Sequence, residues 1–171
     1  RVALDRPDLV QGLVLIGATA GIDDPDERAA RRDADEVLAR QIEDEGVDAF
    51  VRRWLRQPLF AGLRVSADDL ASRLENSAEG LAASLRHAGT GTMDPPWWGE
   101  LRRIEASTLV VAGARDAKFA ALGQRLVDAI GAGGAAHADA RLQLVDDVGH
   151  AAHLEAPTEV SALIRTHATH P

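Results

Sequence analysis

The sequence predicts an α/β fold in which a long helical insertion divides a parallel sheet. Three segments have the apolar composition of buried strands: Gly12–Ala18, Ser107–Ala114 and Ala140–Asp147. The first two are nearly continuous apolar runs, which is typical of parallel strands covered on both faces. The interval between the second and third strands has the length of an ordinary crossover connection. The interval between the first and second strands is far too long for a single crossover. That long interval has helical periodicity, and alternating strands and helices indicate an α/β sheet.

The segment before the first strand, residues 1–10, is predicted to be the end of a helix that stops near Pro7. A proline disfavours helical backbone in the residue that precedes it. After the first strand, Asp24 is a predicted helix cap and Pro25 the first helical residue. The apolar stripe that we expect this helix to bury consists of Ala30, Ala34, Val37, Leu38 and Ile42.

The next helix is predicted from apolar residues at helical spacing, namely Val47, Phe50, Val51, Trp54 and Leu55. Two more helices are predicted near Ala67–Leu74 and Glu79–His87. Residues 19–106 are therefore expected to form a helical lid over the carboxyl ends of the strands, where α/β proteins bind their ligands. Residues 1–18 and 107–171 are expected to form the sheet-bearing core.

The core is predicted to continue with a helix after each of the last two strands. Residues Ala117–Gly131 repeat apolar positions at helical spacing and end at a glycine. Pro157 stands at the expected first position of the last helix, whose apolar stripe is Val160, Leu163 and Ile164.

Composition excludes several classes of function. The chain has 171 residues, a formal net charge of -8 and no cysteine. Without cysteine there is no disulfide, no thiolate metal site and no cysteine nucleophile, and a cytoplasmic location is expected. The acidic balance argues against nucleic acid as a partner. No apolar run reaches the length of a membrane span, so no membrane partner is expected.

Asp116 and His150 are the candidate catalytic residues. Asp116 follows the second predicted strand and His150 follows the third, so both are expected at the carboxyl edge of the sheet. An acid followed by a histidine is the order of the last two members of an α/β-hydrolase triad, in which the acid orients the imidazole and the imidazole removes a proton. Equally, Asp116 could cap the following helix and His150 could be a loop histidine. His153 lies close by, but two histidines without a third ligand do not predict a metal site.

Several motifs together resemble one family. They are G-x-x-D-x-K-F ending at Phe119, G-H-A-x-H-L-E-x-P ending at Pro157, ERAARRDAD beginning at Glu27, W-x-x-x-P-L-F beginning at Trp54, and SLRHAGTGT beginning at Ser84. In this combination the chain resembles the C-terminal part of 2-succinyl-6-hydroxy-2,4-cyclohexadiene-1-carboxylate synthase of menaquinone biosynthesis. The resemblance implies an α/β-hydrolase fold and a lyase that eliminates pyruvate from a substrate with several carboxylates, with no metal or organic cofactor.

The resemblance also implies roles for individual residues. Arg1, Arg31 and Arg73 would bind substrate carboxylates, because a guanidinium matches a carboxylate in a bidentate fork, and Trp54 would line the same pocket. From the residues alone, Arg31 and Arg73 are equally ordinary charges on a helix surface. Arg1 matches the arginine of the family's G-x-S-x-G-G-R elbow.

The serine of that elbow and the oxyanion-hole loop are therefore expected in an N-terminal half of the same fold outside this sequence, and the chain alone is expected to be inactive. Two alternatives stay open. One is an α/β-fold hydrolase of carboxylic esters or carbon–carbon bonds that uses the same Asp116 and His150. The other is not an enzyme: a hydrolase-like ligand receptor, or a truncated gene product with no activity.

Overall fold

The structure is a computed structural model that describes residues 1–133 and 139–169. Within these ranges the strands are β1 (Gly12–Ile16), β2 (Ser107–Gly113) and β3 (Ala140–Val145). The α-helices are α1 (Val2–Asp5), α2 (Pro25–Glu45), α3 (Val47–Trp54), α4 (Ala67–Leu74), α5 (Ala78–Ala88), α6 (Ala117–Gly131), α7 (Ala152–Glu155) and α8 (Pro157–Thr169). In the described ranges, no helix is both long enough and apolar enough to cross a membrane.

The sheet is parallel, and its described strands follow the order β1-β2-β3. Val14 of β1 pairs with Leu109 of β2, and Leu109 in turn pairs with Arg141 of β3. Every residue of the central strand β2 is buried, as its nearly continuous apolar sequence predicts. Because the strands are parallel, the residues that follow them emerge at one edge of the sheet. The predicted parallel strands are thus confirmed, although each is one or two residues shorter than expected.

The chain divides into two compact units. The first comprises Arg1–Ala20 and Trp97–Pro171 and contains the sheet. The second comprises Gly21–Pro96 and is helical. This unit is shorter than the predicted lid 19–106, because the segment from Trp97 onward packs with the sheet strands. The lid role itself stays a prediction.

In the first unit, the two faces of the sheet are covered by different helices. Alternate residues of a strand point to opposite faces. Val110 packs with Leu126 and Ile130 of α6, whereas Leu109 and Val111 pack in a second cluster. That second cluster includes Val145, Val148, Ala152 and Val160 of β3, α7, α8 and the loop between them. Each fully buried Leu, Ile or Val contributes roughly 1.5–3 kcal/mol relative to an exposed side chain. This two-sided core holds the strand ends that carry Asp116 and His150.

In the second unit, the core forms around α2 and α3. Ile42, Phe50 and Val51 are buried, and they pack against partly buried residues that include Leu38, Val47, Trp54, Leu55, Leu70 and Leu85. The predicted apolar stripe of α3 is therefore confirmed.

The predicted stripe of α2 is wrong in its first half. Ala30 and Ala34 are exposed and Val37 is 54% exposed, whereas Arg28 and Asp35 are buried. The Arg28 guanidinium donates hydrogen bonds to the carbonyl oxygens of Ile22 and Asp23, at 2.8 and 3.0 Å, and to Asp94 Oδ1 at 3.1 Å. Burial of a charge is tolerated when it is hydrogen-bonded in this way. A hydrophobic pattern cannot reveal such a face, because its inward side chains are polar.

Candidate active site

The site begins with two side chains at the carboxyl edge of the sheet. Asp116 lies just beyond β2 and His150 just beyond β3. His150 Nδ1 lies 2.7 Å from Asp116 Oδ2. The Asp116 side chain is 8% exposed and the His150 side chain 23% exposed. The sequence predicts these two residues as an oriented pair, and the structure brings them into direct hydrogen-bonding contact.

Asp116 also caps a helix. Its Oδ1 accepts the amide hydrogen of Phe119, at 3.1 Å, in the first turn of α6. The helix cap that the sequence offers as one interpretation of Asp116 is therefore present on Oδ1, while Oδ2 contacts the imidazole and its catalytic role stays a prediction. The cap holds the carboxylate in place, and Oδ2 is directed at the imidazole.

The contact with Asp116 determines which nitrogen of His150 is basic. An ionised carboxylate only accepts hydrogen bonds, so Nδ1 must carry the proton that lies between the two groups. In the neutral ring, Nε2 is then unprotonated and can take a proton from another group. The pair is thus chemically suited to general-base catalysis.

Two further residues lie beside the His150 ring, and sequence reasoning assigned neither of them. The ring centroids of Phe119 and His150 are 4.5 Å apart with a 54° tilt. Gly17, the residue after β1, has a φ of 54°, and a Cβ at this position would lie 3.6 Å from His150 Cε1. The left-handed backbone at Gly17 also explains why β1 ends earlier than predicted. Phe119 belongs to the quoted G-x-x-D-x-K-F motif, which was the available signal for it.

The loop that carries His150 is held closely against the end of β2. The amide of Arg115 donates to the Val148 carbonyl oxygen at 2.9 Å. A Cβ on Gly113 would lie 2.1 Å from the Gly149 carbonyl oxygen, so only glycine fits there. This close approach of two backbones brings Asp116 and His150 within reach of each other.

Arg31, a predicted carboxylate-binding residue, lies on α2 and is 43% exposed. Its Nε donates to both carboxylate oxygens of Asp35, at 2.9 and 3.0 Å. The Asp35 side chain is 4% exposed, so it is a fixed support. Among the described residues, no hydrogen bond uses Nη1 or Nη2 of Arg31. The end of the guanidinium that can bind a carboxylate in a fork therefore has no intramolecular partner in these ranges.

The other predicted binding residues differ in the number of hydrogen bonds that their side chains make within the described ranges. Arg73 is half-buried near the end of α4, and its guanidinium makes no hydrogen bond or ion pair within the described ranges. Arg1 donates to both Asp5 oxygens, at 2.7 and 2.9 Å, and to Glu100 Oε1 at 3.0 Å. These bonds raise the pKa of the Arg1 guanidinium, and the hydrogen bonds to Asp5 have the largest effect. A substrate carboxylate would have to displace these contacts.

Trp54, predicted to line a pocket, is half-buried in an aromatic group of the helical unit. Its ring is stacked on Phe50 at a centroid distance of 5.6 Å and lies 6.1 Å from Phe60. Packing alone accounts for this position, and its role toward a substrate stays a prediction.

A cavity of about 260 Å³ lies in the first unit, away from the Asp116–His150 pair. Its lining is mainly apolar and includes Leu4, Leu13, Leu15, Trp97, Leu101 and Ile104. Such a lining does not suit a substrate with several carboxylates. The described residues also contain no group of three histidine, aspartate or glutamate side chains arranged to hold a metal ion.

Comparison with known proteins supports the resemblance. No family model matches the chain. The chain is 29% identical over 157 residues to the 2-succinyl-6-hydroxy-2,4-cyclohexadiene-1-carboxylate synthase of Klebsiella pneumoniae, covering 91% of this chain and 57% of that protein. A Bacillus subtilis relative described under the same synthase name is 33% identical over 160 residues, covering 91% of this chain and 56% of the relative. The chain therefore spans a little over half the length of these curated relatives.

Solved structures agree with the fold. MenH from S. aureus superposes with a TM-score of 0.88 at 26% identity, covering 98% of this chain and 62% of that one. An α/β hydrolase from a deep-sea metagenome library superposes with a TM-score of 0.67 at 16% identity, covering 99% of this chain and 60% of that one. The predicted α/β-hydrolase fold and the resemblance to the synthase are confirmed.

Proposed function

We propose that this chain is the C-terminal catalytic part of a 2-succinyl-6-hydroxy-2,4-cyclohexadiene-1-carboxylate synthase, a cytoplasmic lyase that eliminates pyruvate. The observation that carries the proposal is the 2.7 Å contact between His150 Nδ1 and Asp116 Oδ2, in a chain that resembles this synthase over 91% of its length. The chain spans 56% of the Bacillus subtilis relative, and in this proposal the remaining part of the same fold supplies the serine and the oxyanion hole.

In the proposed reaction, His150 is the general base. Its Nε2 removes the hydroxyl proton of the serine, and Asp116 stabilises the resulting imidazolium. The serine oxygen then takes a proton from the carbon beside the substrate's succinyl carbonyl. Backbone amides hold the developing enolate, and its electron pair forms a ring double bond as the ring carbon–oxygen bond breaks. Pyruvate leaves as its enolate and takes the proton from the His150 imidazolium, which restores the base.

Arg31 is proposed to bind a substrate carboxylate. Asp35 accepts hydrogen bonds from its Nε, and among the described residues no hydrogen bond uses its terminal nitrogens. A bidentate contact of this kind is charge-assisted and geometrically selective. Arg73 is proposed to bind a second carboxylate. Arg1 and Trp54 remain candidates on the strength of the resemblance alone.

The second candidate is an α/β-fold hydrolase of carboxylic esters or carbon–carbon bonds. The same Asp116–His150 pair serves hydrolysis, because a serine activated by histidine also attacks a carbonyl carbon. The substrate's charge separates the two functions. An esterase acting on neutral esters has no need of a guanidinium held ready for a carboxylate.

The experiment compares pyruvate release with cleavage of a small neutral ester in the complete protein. Arg31→Ala is expected to lower kcat/KM for the polycarboxylate substrate by roughly ten- to a hundredfold, from the loss of about 1.5–3 kcal/mol of a charge-assisted contact. Arg31→Lys is expected to recover only part of the loss, because an ammonium cannot form the fork. Ester cleavage, where measurable, is expected to be unchanged.

Arg40→Ala is the matched control, since Arg40 lies on the same helix and is 71% exposed. It should leave both reactions unchanged, because an exposed ion pair contributes little. Equal effects of Arg31→Ala on both substrates would assign Arg31 a structural role and favour the hydrolase. Absence of pyruvate release from the unmodified protein would reject the synthase.

A further inference from the structure

Glu155 contacts the polypeptide on both sides of His150. Its Oε2 accepts the amide hydrogen of Gly149 at 2.9 Å, and its Oε1 accepts that of Ala151 at 3.1 Å. Glu155 is the last residue of α7, and its own amide donates to the Ala151 carbonyl oxygen at 2.9 Å. The half-buried carboxylate therefore binds the backbone amides of the residue that precedes the histidine and of the residue that follows it.

Neither amide has another way to be satisfied by regular structure. Gly149 and Ala151 lie between β3 and α7, outside any strand ladder or helix. Two amide hydrogens donated to one carboxylate are charge-assisted and stronger than neutral hydrogen bonds. The fit is also close, because a Cβ on Gly149 would lie 3.1 Å from Glu155 Oε1. The loop thus has one well-defined backbone position.

That position determines where the imidazole lies. The Cα of His150 is fixed between the two amides that Glu155 holds, while the ring must reach Asp116 Oδ2 at 2.7 Å. Before His150, this loop is also restrained by hydrogen bonds from the Arg115 amide to the Val148 carbonyl oxygen and from Arg115 Nη2 to Asp147 Oδ1. The contact of Glu155 with Ala151 acts after His150. Without this carboxylate, the backbone just after the histidine would lose a charge-assisted contact and would keep the hydrogen bonds that the amides of Leu154 and Glu155 donate to the Ala151 carbonyl oxygen.

We propose that Glu155 is a positioning residue for His150: by accepting the amide hydrogens of Gly149 and Ala151, its carboxylate keeps the imidazole in register with Asp116. The catalytic part of this inference rests on the proposed function, whereas the structural part does not. Glu155 has no contact with the reacting atoms in this scheme. It acts through the backbone, and its substitution should affect the rate of proton transfer more than substrate binding.

The experiment uses the complete protein and compares Glu155→Gln and Glu155→Ala with the unmodified form. The glutamine keeps the size of the side chain, but its amide nitrogen cannot accept the second amide hydrogen. Proton NMR detects the His150 Nδ1–H, whose resonance lies far downfield while it is hydrogen-bonded to Asp116. We expect this resonance to broaden or disappear in both variants. We also expect kcat for pyruvate release to fall about 10- to 100-fold with little change in KM, as for a displaced catalytic group.

Glu159→Gln is the control, because it makes the same charge change at an exposed residue of α8. It should leave both the resonance and kcat unchanged. Circular dichroism melts of every variant identify the temperature at which all are folded, and Glu155→Gln provides the comparison if Glu155→Ala does not fold.

A normal resonance in folded Glu155→Gln and Glu155→Ala would overturn the proposal, whatever happens to kcat. A lost resonance with an unchanged kcat would also overturn it. A lost resonance in the variants of a protein that releases no pyruvate even when unmodified would support the positioning of His150 and reject the proposed function. The two failures are therefore distinguishable.

Discussion

Replacement of Asp116 by asparagine separates the two contacts that this carboxylate makes. Oδ1 caps α6 through the Phe119 amide, and Oδ2 accepts from His150 Nδ1. Asparagine can keep its amide oxygen toward Phe119, since it is as good a helix cap as aspartate. Its amide nitrogen then faces the imidazole. Because that nitrogen only donates, His150 Nδ1 must become the acceptor, and the proton moves to Nε2.

The expected consequences differ widely in size. With the cap retained, the free energy of unfolding should change by less than about 1 kcal/mol. With the proton on Nε2, the imidazole cannot accept the serine proton, and the same substitution in a serine-protease triad lowers kcat roughly 10⁴-fold. That corresponds to about 5.4 kcal/mol of transition-state stabilisation. Asp116→Ala should lose both contacts, with a further stability loss of about 0.5–2 kcal/mol from the missing cap.

The assay pairs urea denaturation with pyruvate release for the unmodified protein, Asp116→Asn and Asp116→Ala. We predict that asparagine preserves most of the stability and almost none of the activity, and that alanine reduces both. Turnover of Asp116→Asn within tenfold of the unmodified protein would refute the role of Oδ2. A large stability loss in Asp116→Asn would refute the assignment of the cap to Oδ1.

Three further predictions concern other parts of the chain. Hydrogen bonds from Arg86, and secondarily from Arg40, lower the pKa of Glu36 from 4.5 to about 2. The stability that this carboxylate contributes is thus fully present above pH 4.5 and is lost as the pH falls toward 2, so the Tm difference between the unmodified protein and Glu36→Gln should vanish over that interval. His167 is 1% exposed, and its Nε2 lies 3.2 Å from the Ser107 carbonyl oxygen. His167→Ala should lower the free energy of unfolding by about 1–3 kcal/mol, because it leaves a buried acceptor unpaired. An unchanged midpoint of urea denaturation would contradict this. Gly113→Ala should lower both Tm and pyruvate release, because its Cβ would lie 2.1 Å from the Gly149 carbonyl oxygen; retention of both would show that the two backbones can separate.

Regular elements with strong local signals could be predicted from the sequence. The helices Ala67–Leu74 and Ala117–Gly131 have the predicted bounds, because capping residues and apolar spacing agree there. The strands were predicted too long, since composition does not show where a chain turns away from a sheet. At Gly17 that turn is a backbone with φ of 54°. The inward face of α2 was misassigned because Arg28 and Asp35 are buried by polar contacts, which a hydrophobic pattern excludes.

The candidate site was partly predictable for a similar reason. The order of Asp116 and His150 after neighbouring strands indicates that they meet, because parallel strands end at one edge. The contact of Arg31 with Asp35 follows from their spacing of four residues on a helix. The contacts of Glu155 with two amides, and the position of Gly17 beside the imidazole, depend on the backbone path between elements. No periodicity in the sequence encodes that path.

We propose that His150, oriented by Asp116, is the base of a pyruvate-eliminating enzyme. This role is tested by the rate of pyruvate release from the polycarboxylate substrate by the complete protein with and without His150→Ala, at enzyme concentrations that allow slow turnover to be measured. We predict a fall in kcat of roughly 10⁴- to 10⁶-fold with the fold retained, as for loss of a triad histidine. A folded His150→Ala protein that releases pyruvate at close to the unmodified rate would contradict the claim.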